Sequence, residues 1–324
     1  MPSGKKKNPY VWALRFLITV ALLYAVLRQI PLGEVSAAIA GASPGFVLLG
    51  LACGLLLGIP EAIKLKLLLA RQGMTMTAWE IFAVNMAAKF YGLFLPSSLA
   101  GGVMRLYRFA HAERKWGEVL ASVAFNRLID TAVLAGLGLG FWAIGKPSGV
   151  SWMGGLVLAA VLAASLATHA LVSHPSLSRR IGARCTGLLG RLPPAAQETC
   201  ERLVTTMAQG YQASRGLTGT VAALSVVVQL GGMFAFFCFA RALDIQLSIV
   251  HIGWIRSVVV LLVMLPVSFA GLGVREGSLL LLLPGYGVSE PDAVALSLLL
   301  FAVTVVIKLL GGAAELYYLF ARRR

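Results

Sequence analysis

The chain has 324 residues, 58% of them hydrophobic and 13% charged, with a formal net charge of +15 and a mean hydropathy of +0.84. These values exclude a soluble domain and indicate an all-α polytopic membrane protein, a single integral membrane domain over 1–324. The basic residues fall in short runs between apolar segments, as anionic lipid headgroups and the positive-inside rule require, so no nucleic-acid partner is expected.

Lys5, Lys6 and Lys7 open the chain and should stay inside. Residues 11–30 form the first predicted span, too long for a signal-peptide core and followed by no convincing cleavage site, hence a retained anchor. Residues 31–44 hold Glu34 and no Lys or Arg, which suits an outside loop. The second span, about 45–62, returns to Lys64, Lys66 and Arg71 on the inside. Residues 78–110 do not behave as one span. An apolar run from Ile81 to Leu95 meets Pro96 and a Ser/Ala/Gly stretch, and the continuation through Arg105 and Arg108 to His111 is too basic to cross lipid. A re-entrant hairpin from the cytoplasm satisfies both facts, and non-helical backbone at that depth needs protein or a wet cavity around it.

Residues 117–145 and 149–172 read as ordinary spans joined outside by Lys146-Pro147-Ser148. The polar stretch 173–218 carries Arg179, Arg180, Arg184, Arg191, Arg202 and Arg215 against Glu198 and Glu201, and reads as a cytoplasmic linker. Leu203, Met207 and Tyr211 recur every four residues within it, which fits an amphipathic surface helix or a solvated linker. Residues 219–240 lead outwards to Arg241 and Asp244. A second broken segment, about 247–284, reads as a hairpin entering from outside, and the last span, about 290–320, ends inside at Arg322, Arg323 and Arg324. Both termini are then cytoplasmic, with about six full spans and two hairpins. The two halves, 11–172 and 219–320, are related as inverted-topology repeats.

A sequence repeat supports this division. Leu95-Pro96-Ser97-Ser98-Leu99-Ala100-Gly101-Gly102-Val103-Met104-Arg105 aligns without a gap on Leu265-Pro266-Val267-Ser268-Phe269-Ala270-Gly271-Leu272-Gly273-Val274-Arg275, and the same offset pairs Ala70-Arg71 with Ala240-Arg241. Two Gly/Pro-broken segments in corresponding halves point to a transport-type binding site. Each motif should end one half-helix and start another. Gly101-Gly102 and Gly271/Gly273 would leave N–H groups at a positive helix start, with Arg105 and Arg275 one turn further on. Such a site suits phosphate or carboxylate, with Ser98 and Ser268 donating to the anion or capping the new helix. Alternatively, the arginines snorkel.

Other ionisable residues lie deep in apolar stretches, where they are costly and face a cavity or a partner. Asn126, Arg127 and Asp130 sit within the third span, and the i,i+3 spacing lets Arg127 and Asp130 neutralise each other, either structurally or around substrate. Glu276 adjoins Arg275, Lys89 and Arg256 lie in the descending hairpin arms, and Lys308 has no acidic residue within a turn. The excess of cations favours an anionic ligand. No His-Glu-x-x-His and no Asp-x-Asp occur, and no enzyme activity, cofactor or metal is expected. Cys53, Cys185, Cys200 and Cys238 lack metal-like spacing and are expected to be free thiols.

In order and approximate spacing, Asn85, the Leu95–Arg105 motif, Asn126-Arg127-Leu128-Ile129-Asp130, the second motif with its Arg275-Glu276-Gly277, and Gly311-Gly312 resemble the lysylphosphatidylglycerol synthase transmembrane (flippase-like) family over about residues 10–320. Val103 stands where the family often has an acidic residue, so a role for that carboxylate does not transfer. The resemblance implies a bacterial inner-membrane protein that moves a lipid or lipid-linked molecule between leaflets. In fused members a soluble aminoacyl-transferase domain follows the membrane part; the resemblance here is to the membrane part, so synthase activity is not expected. The expected function is flippase-like transport of an anionic phospholipid or polyprenyl-phosphate-linked lipid. The alternatives are a membrane-embedded lipid-modifying transferase, with Glu276, Asp130 or Glu315 as acid/base candidates, and a non-transporting lipid-binding partner of an envelope-synthesis complex.

Overall fold

The structure is a computed structural model that describes residues 37–94, 100–113, 115–145, 152–173, 215–265, 271 and 273–321. All regular structure among the described residues is helical. The elements are α1 (Pro44–Leu56), α2 (Gly58–Arg71), α3 (Ala78–Phe94), α4 (Ala100–Glu113), α5 (Trp116–Gly145), α6 (Trp152–Ser173), α7 (Arg215–Ala242), α8 (Ile249–Met264), α9 (Val274–Leu282), a 3-10 turn (Pro284–Tyr286) and α10 (Glu290–Ala321).

Five helical stretches are long and apolar enough to cross a membrane: Pro44–Arg71, Trp116–Gly145, Trp152–Ala170, Gly216–Ala242 and Glu290–Ala313. This is a multi-pass membrane protein. The expected span at 11–30 lies outside the described residues, as do 174–214 of the expected linker, while residues 215–218 belong to α7. α8 has only 16 residues, about 24 Å at the helical rise, short of the ~30 Å hydrocarbon core. The second span extends beyond the residue 62 expected from hydropathy: α1 and α2 run on through Leu57 to Arg71. Lys64 is therefore a wholly buried residue inside the bundle, not part of a cytoplasmic loop.

The same local structure occurs at the ends of α2 and α7. Beyond α2, the N–H groups of Gln72 and Met74 donate to Leu69 O and that of Gly73 to Ala70 O, at 2.9, 3.1 and 3.0 Å. Beyond α7, Leu243 and Ile245 donate to Ala240 O and Asp244 to Arg241 O, at 3.2, 2.9 and 3.1 Å. Gly73 and Asp244 take the left-handed conformation these caps require, at φ 73° and 55°; short polar Asp is among the few non-glycine residues that tolerate it. An extended stretch follows each cap, then a hydroxyl N-cap: Thr77 Oγ1 accepts from Glu80 N–H at 3.2 Å, and Ser248 Oγ from His251 N–H at 3.3 Å. Every element of this unit recurs 171 positions later (Gly73 and Asp244, Thr77 and Ser248). The structural register is one residue longer than the 170 of the sequence motif, so Ala70 corresponds to Arg241 and Arg71 to Ala242, not Arg71 to Arg241.

Long-range packing follows the same pairing. The α1–α2 stretch lies antiparallel to α7. Gly50 abuts Phe239 and Gly231 abuts Leu57, Lys64 bonds to Ser225 at 3.2 Å, and Leu68 shares a buried cluster with Val221. α3 packs on α10, and α8 packs on α5. The largest apolar cluster unites α7 to α10 around fully buried Trp254, and a second joins α2, α3, α4 and α5.

Candidate functional site

Two polar centres lie where the broken segments meet their neighbours. The first joins α2, α4, α5 and α7. Lys64 Nζ is ion-paired with Asp130 Oδ1. Ser225 Oγ donates to the same carboxylate oxygen at 2.6 Å and Asn126 Nδ2 to the other at 3.0 Å. The partner of Asp130 is thus Lys64, not Arg127 as the i,i+3 spacing predicts. Arg127 is exposed on α5, whereas Lys64 has no exit from the interface and must be neutralised where it lies. Arg105, half-buried on α4, makes no hydrogen bond or ion pair among the described residues and sits in the electrostatic field of Glu61, Arg127 and Asp130. The space where a Cβ on Gly102 would stand, one turn earlier, is empty to 4 Å. Lys89 on α3 is 3.4 Å from Glu61 on α2.

The second centre joins α9 and α10. Gly271 and Gly273, at φ 78° and 81°, turn the chain into α9 in a conformation costly to any residue with a Cβ. Glu276 reaches back over the first turn of α9 and accepts from Gly273 N–H at 2.5 Å. Its other oxygen accepts from Ser297 Oγ at 2.8 Å and lies 3.4 Å from Arg275 Nη2. Arg275 Nε donates to Ser297 Oγ at 3.0 Å, and the guanidinium lies over Phe301. The start of α9 therefore already holds a carboxylate. Lys308, half-buried two turns after Phe301, lies in the field of Arg275 and makes no hydrogen bond or ion pair among the described residues.

The two motif copies differ in detail. Gly101 and Gly102 belong to the first turn of α4, with Arg105 its sixth residue, whereas Gly271 and Gly273 precede α9 and Arg275 is its second residue. More residues separate α8 from α9 than α3 from α4, so Arg275 is not a full turn into its half-helix as the alignment predicts. Pro96, Ser98, Pro266 and Ser268 lie outside the described residues.

A third centre forms around Glu315, which the sequence offered only as an acid/base candidate, without its partners Arg108 and Tyr91. Glu315 on α10, 5% exposed, is ion-paired with Arg108 on α4 and accepts from the Tyr91 hydroxyl on α3 at 3.0 Å. Sequence reasoning also passed over Lys64, which it placed in a loop. The apolar residues that continue beyond Lys64, at Leu65 and Leu67 to Ala70, were the signal available.

The charges follow a simple rule. Among the described residues, Glu61, Asp130, Glu276 and Glu315 lie within the bundle, and each has one cation: Lys89, Lys64, Arg275 and Arg108. Glu80, Glu118, Glu290 and Asp292 stand in the first turns of their helices. Arg256 bonds to Gln229 at 3.2 Å. Among the described residues Arg105, Arg127, Arg256 and Lys308 are without a carboxylate partner. Two of the four cysteines, Cys53 and Cys238, are free thiols; the other two fall outside the described residues.

No curated protein and no solved structure is matched by this chain. The family model described as lysylphosphatidylglycerol synthase TM region matches residues 12–312, nearly the whole chain, and the chain belongs to that family.

Proposed function

We propose that this protein is a flippase-like transporter that moves an anionic lipid, phospholipid or polyprenyl-phosphate-linked, between leaflets of a bacterial inner membrane. It acts as a transporter and not as an enzyme. Two inverted repeats each supply a re-entrant hairpin, α3–α4 from the cytoplasm and α8–α9 from outside, and both termini are cytoplasmic. The antiparallel contact of α1–α2 with α7 supports the inversion. A twofold axis along the membrane normal would make equivalent helices parallel, and only an axis in the membrane plane makes them antiparallel.

The observation that carries the anionic substrate is the set of cations left after every interior carboxylate has found a partner. Unneutralised cations at this depth are costly unless a ligand supplies the missing charge. The three carboxylates nominated for transferase chemistry are each held by a cation and further hydrogen bonds, which disfavours them as an acid/base pair.

The test is reconstitution of the purified protein alone into liposomes with headgroup-labelled phosphatidylglycerol and an impermeant quencher outside. Transport requires loss of the protected inner-leaflet signal with wild type and a slower loss with Arg105→Gln and Lys308→Met. An inner-leaflet pool as protected as in protein-free liposomes would refute transport and favour a transferase or a binding partner.

A further inference from the structure

Arg256 has no carboxylate partner among the described residues and lies too deep to reach water. It is the eighth of the 16 residues of α8, and its hydrogen-bond partner Gln229 is the fifteenth of the 28 residues of α7. At the helical rise Gln229 stands ~20 Å from either end of α7, whose apolar length is enough to cross the membrane. The guanidinium is therefore near mid-depth, where an arginine cannot snorkel to the interface.

Packing holds that guanidinium against α7. Gly232 leaves the helix surface bare, and a Cβ there would collide with Arg256 Nη2. Nη1 donates to Gln229 Oε1 at 3.2 Å. Arginine has no acceptor, so this bond settles which end of the amide faces it. The Gln229 Nε2 donors are left over, with no partner among the described residues.

Arg256 and Gln229 line one cleft, walled by Leu137 and Phe141 of α5 and by Leu230 and Met233 of α7. Leu230 is 39% exposed, so on a spanning helix the cleft opens sideways to lipid. Apolar walls around two polar groups suit an amphiphile better than a bare ion. The guanidinium fork and the amide match the oxygens of a phosphate, and the walls match the glycerol and chains beyond it. Among the described residues no second cation lines the cleft. A phosphodiester, with one charge, is thus neutralised, whereas a phosphomonoester would keep an excess charge in the bilayer.

Resting on the transport reading above, we propose that the α5–α7–α8 cleft is a mid-membrane binding site for a lipid phosphodiester, held by Arg256 and Gln229. A phosphate reaches this depth only while passing between leaflets, so the cleft lies on the lipid's path.

The experiment is photo-crosslinking of the full-length protein in nanodiscs of equal phosphatidylglycerol and phosphatidylcholine. Benzoylphenylalanine replaces Leu230 at the cleft or, as a control for bulk lipid, Leu166, 53% exposed on α6. Intact mass identifies the lipid attached. The ratio of phosphatidylglycerol to phosphatidylcholine adducts should be about tenfold or more higher at 230 than at 166, the worth of one charge-assisted contact. Arg256→Gln should bring the ratio at 230 down to the control value without lowering the melting temperature, and Arg256→Lys should keep part of it. Equal ratios at the two positions with Arg256 intact, a comparison that needs no variant of the arginine, would overturn the site. So would a ratio that Arg256→Gln leaves unchanged. Phosphatidic acid in place of phosphatidylglycerol at pH 8 should be enriched less, and a greater enrichment would overturn the phosphodiester assignment. Loss of the enrichment to excess inorganic phosphate at constant ionic strength would give the cleft to a free anion and overturn the lipid. Enrichment without lipid movement in liposomes would refute transport and leave a binding site; movement without enrichment would do the reverse.

Discussion

Gly311 of α10 crosses α3 so closely at Met86 that a Cβ on Gly311 would collide with the Met86 carbonyl oxygen. Gly138 of α5 meets α8 in the same way, where a Cβ would lie 2.6 Å from Ser257 Cβ. Met86 and Ser257 are 171 positions apart, and Gly138 precedes Gly311 and Gly312 by 173 and 174. α3 and α8, the helices that precede the two breaks, are thus each pinned through a glycine to a long helix of the other half, α10 and α5.

Gly311→Ala should lower stability by ~1–3 kcal/mol, because the clash is with backbone and cannot be relieved by a rotamer change. Gly102→Ala, also in a helix but beside open space, should be neutral or stabilising by up to ~1 kcal/mol. Melting temperatures in one detergent check both, and equal losses would mean that the α3–α10 crossing is looser than described.

Lys64→Met should destabilise the fold by ~3–5 kcal/mol by stranding the Asp130 carboxylate in the bundle. Adding Asp130→Asn should recover most of the loss, while Arg127→Gln alone should cost nothing measurable. A large loss from Arg127→Gln would return Arg127 to the role of Asp130's partner.

Lys308 should behave in the opposite way to Lys64. With no carboxylate of its own, Lys308→Met should leave thermal stability in lipid-free detergent similar or higher, yet weaken anionic-lipid binding, and Lys308→Arg should keep part of that binding. Glu276→Gln should lower stability, since it weakens both the bond from Gly273 N–H and the ion pair with Arg275. A strong stability loss in Lys308→Met, rescued by neutralising a nearby carboxylate, would make Lys308 structural.

Helix boundaries were legible because lipid demands long apolar runs: the expected 117–145, 149–172 and 290–320 sit within a few residues of α5, α6 and α10. The broken segments were legible for the same reason, since Pro and Gly in an apolar stretch need an explanation. Charge pairing was not legible. Spacing along one helix suggested Arg127 for Asp130, but the choice of Lys64 depends on how α2, α5 and α7 meet. The Gly311-Gly312 pair stood out in the sequence, yet its reason is the backbone of α3, and sequence separation hides that contact. The offset is 171 at the α2 and α7 caps but 174 at the starts of α4 and α9, because the second break is the longer, and the 170 of the sequence motif matches neither.

The opposed orientation of the halves carries the whole reading, and equivalent loop positions test it directly. Thr75 and Gln246 are both exposed and stand at matching places after the α2 and α7 caps. In a cysteine-free background, Thr75→Cys should react with an impermeant maleimide only from the cytoplasmic side, in inverted vesicles, and Gln246→Cys only from the outside, in intact cells. Labelling of both from the same face would contradict the inverted repeat and, with it, the paired-hairpin path for the lipid.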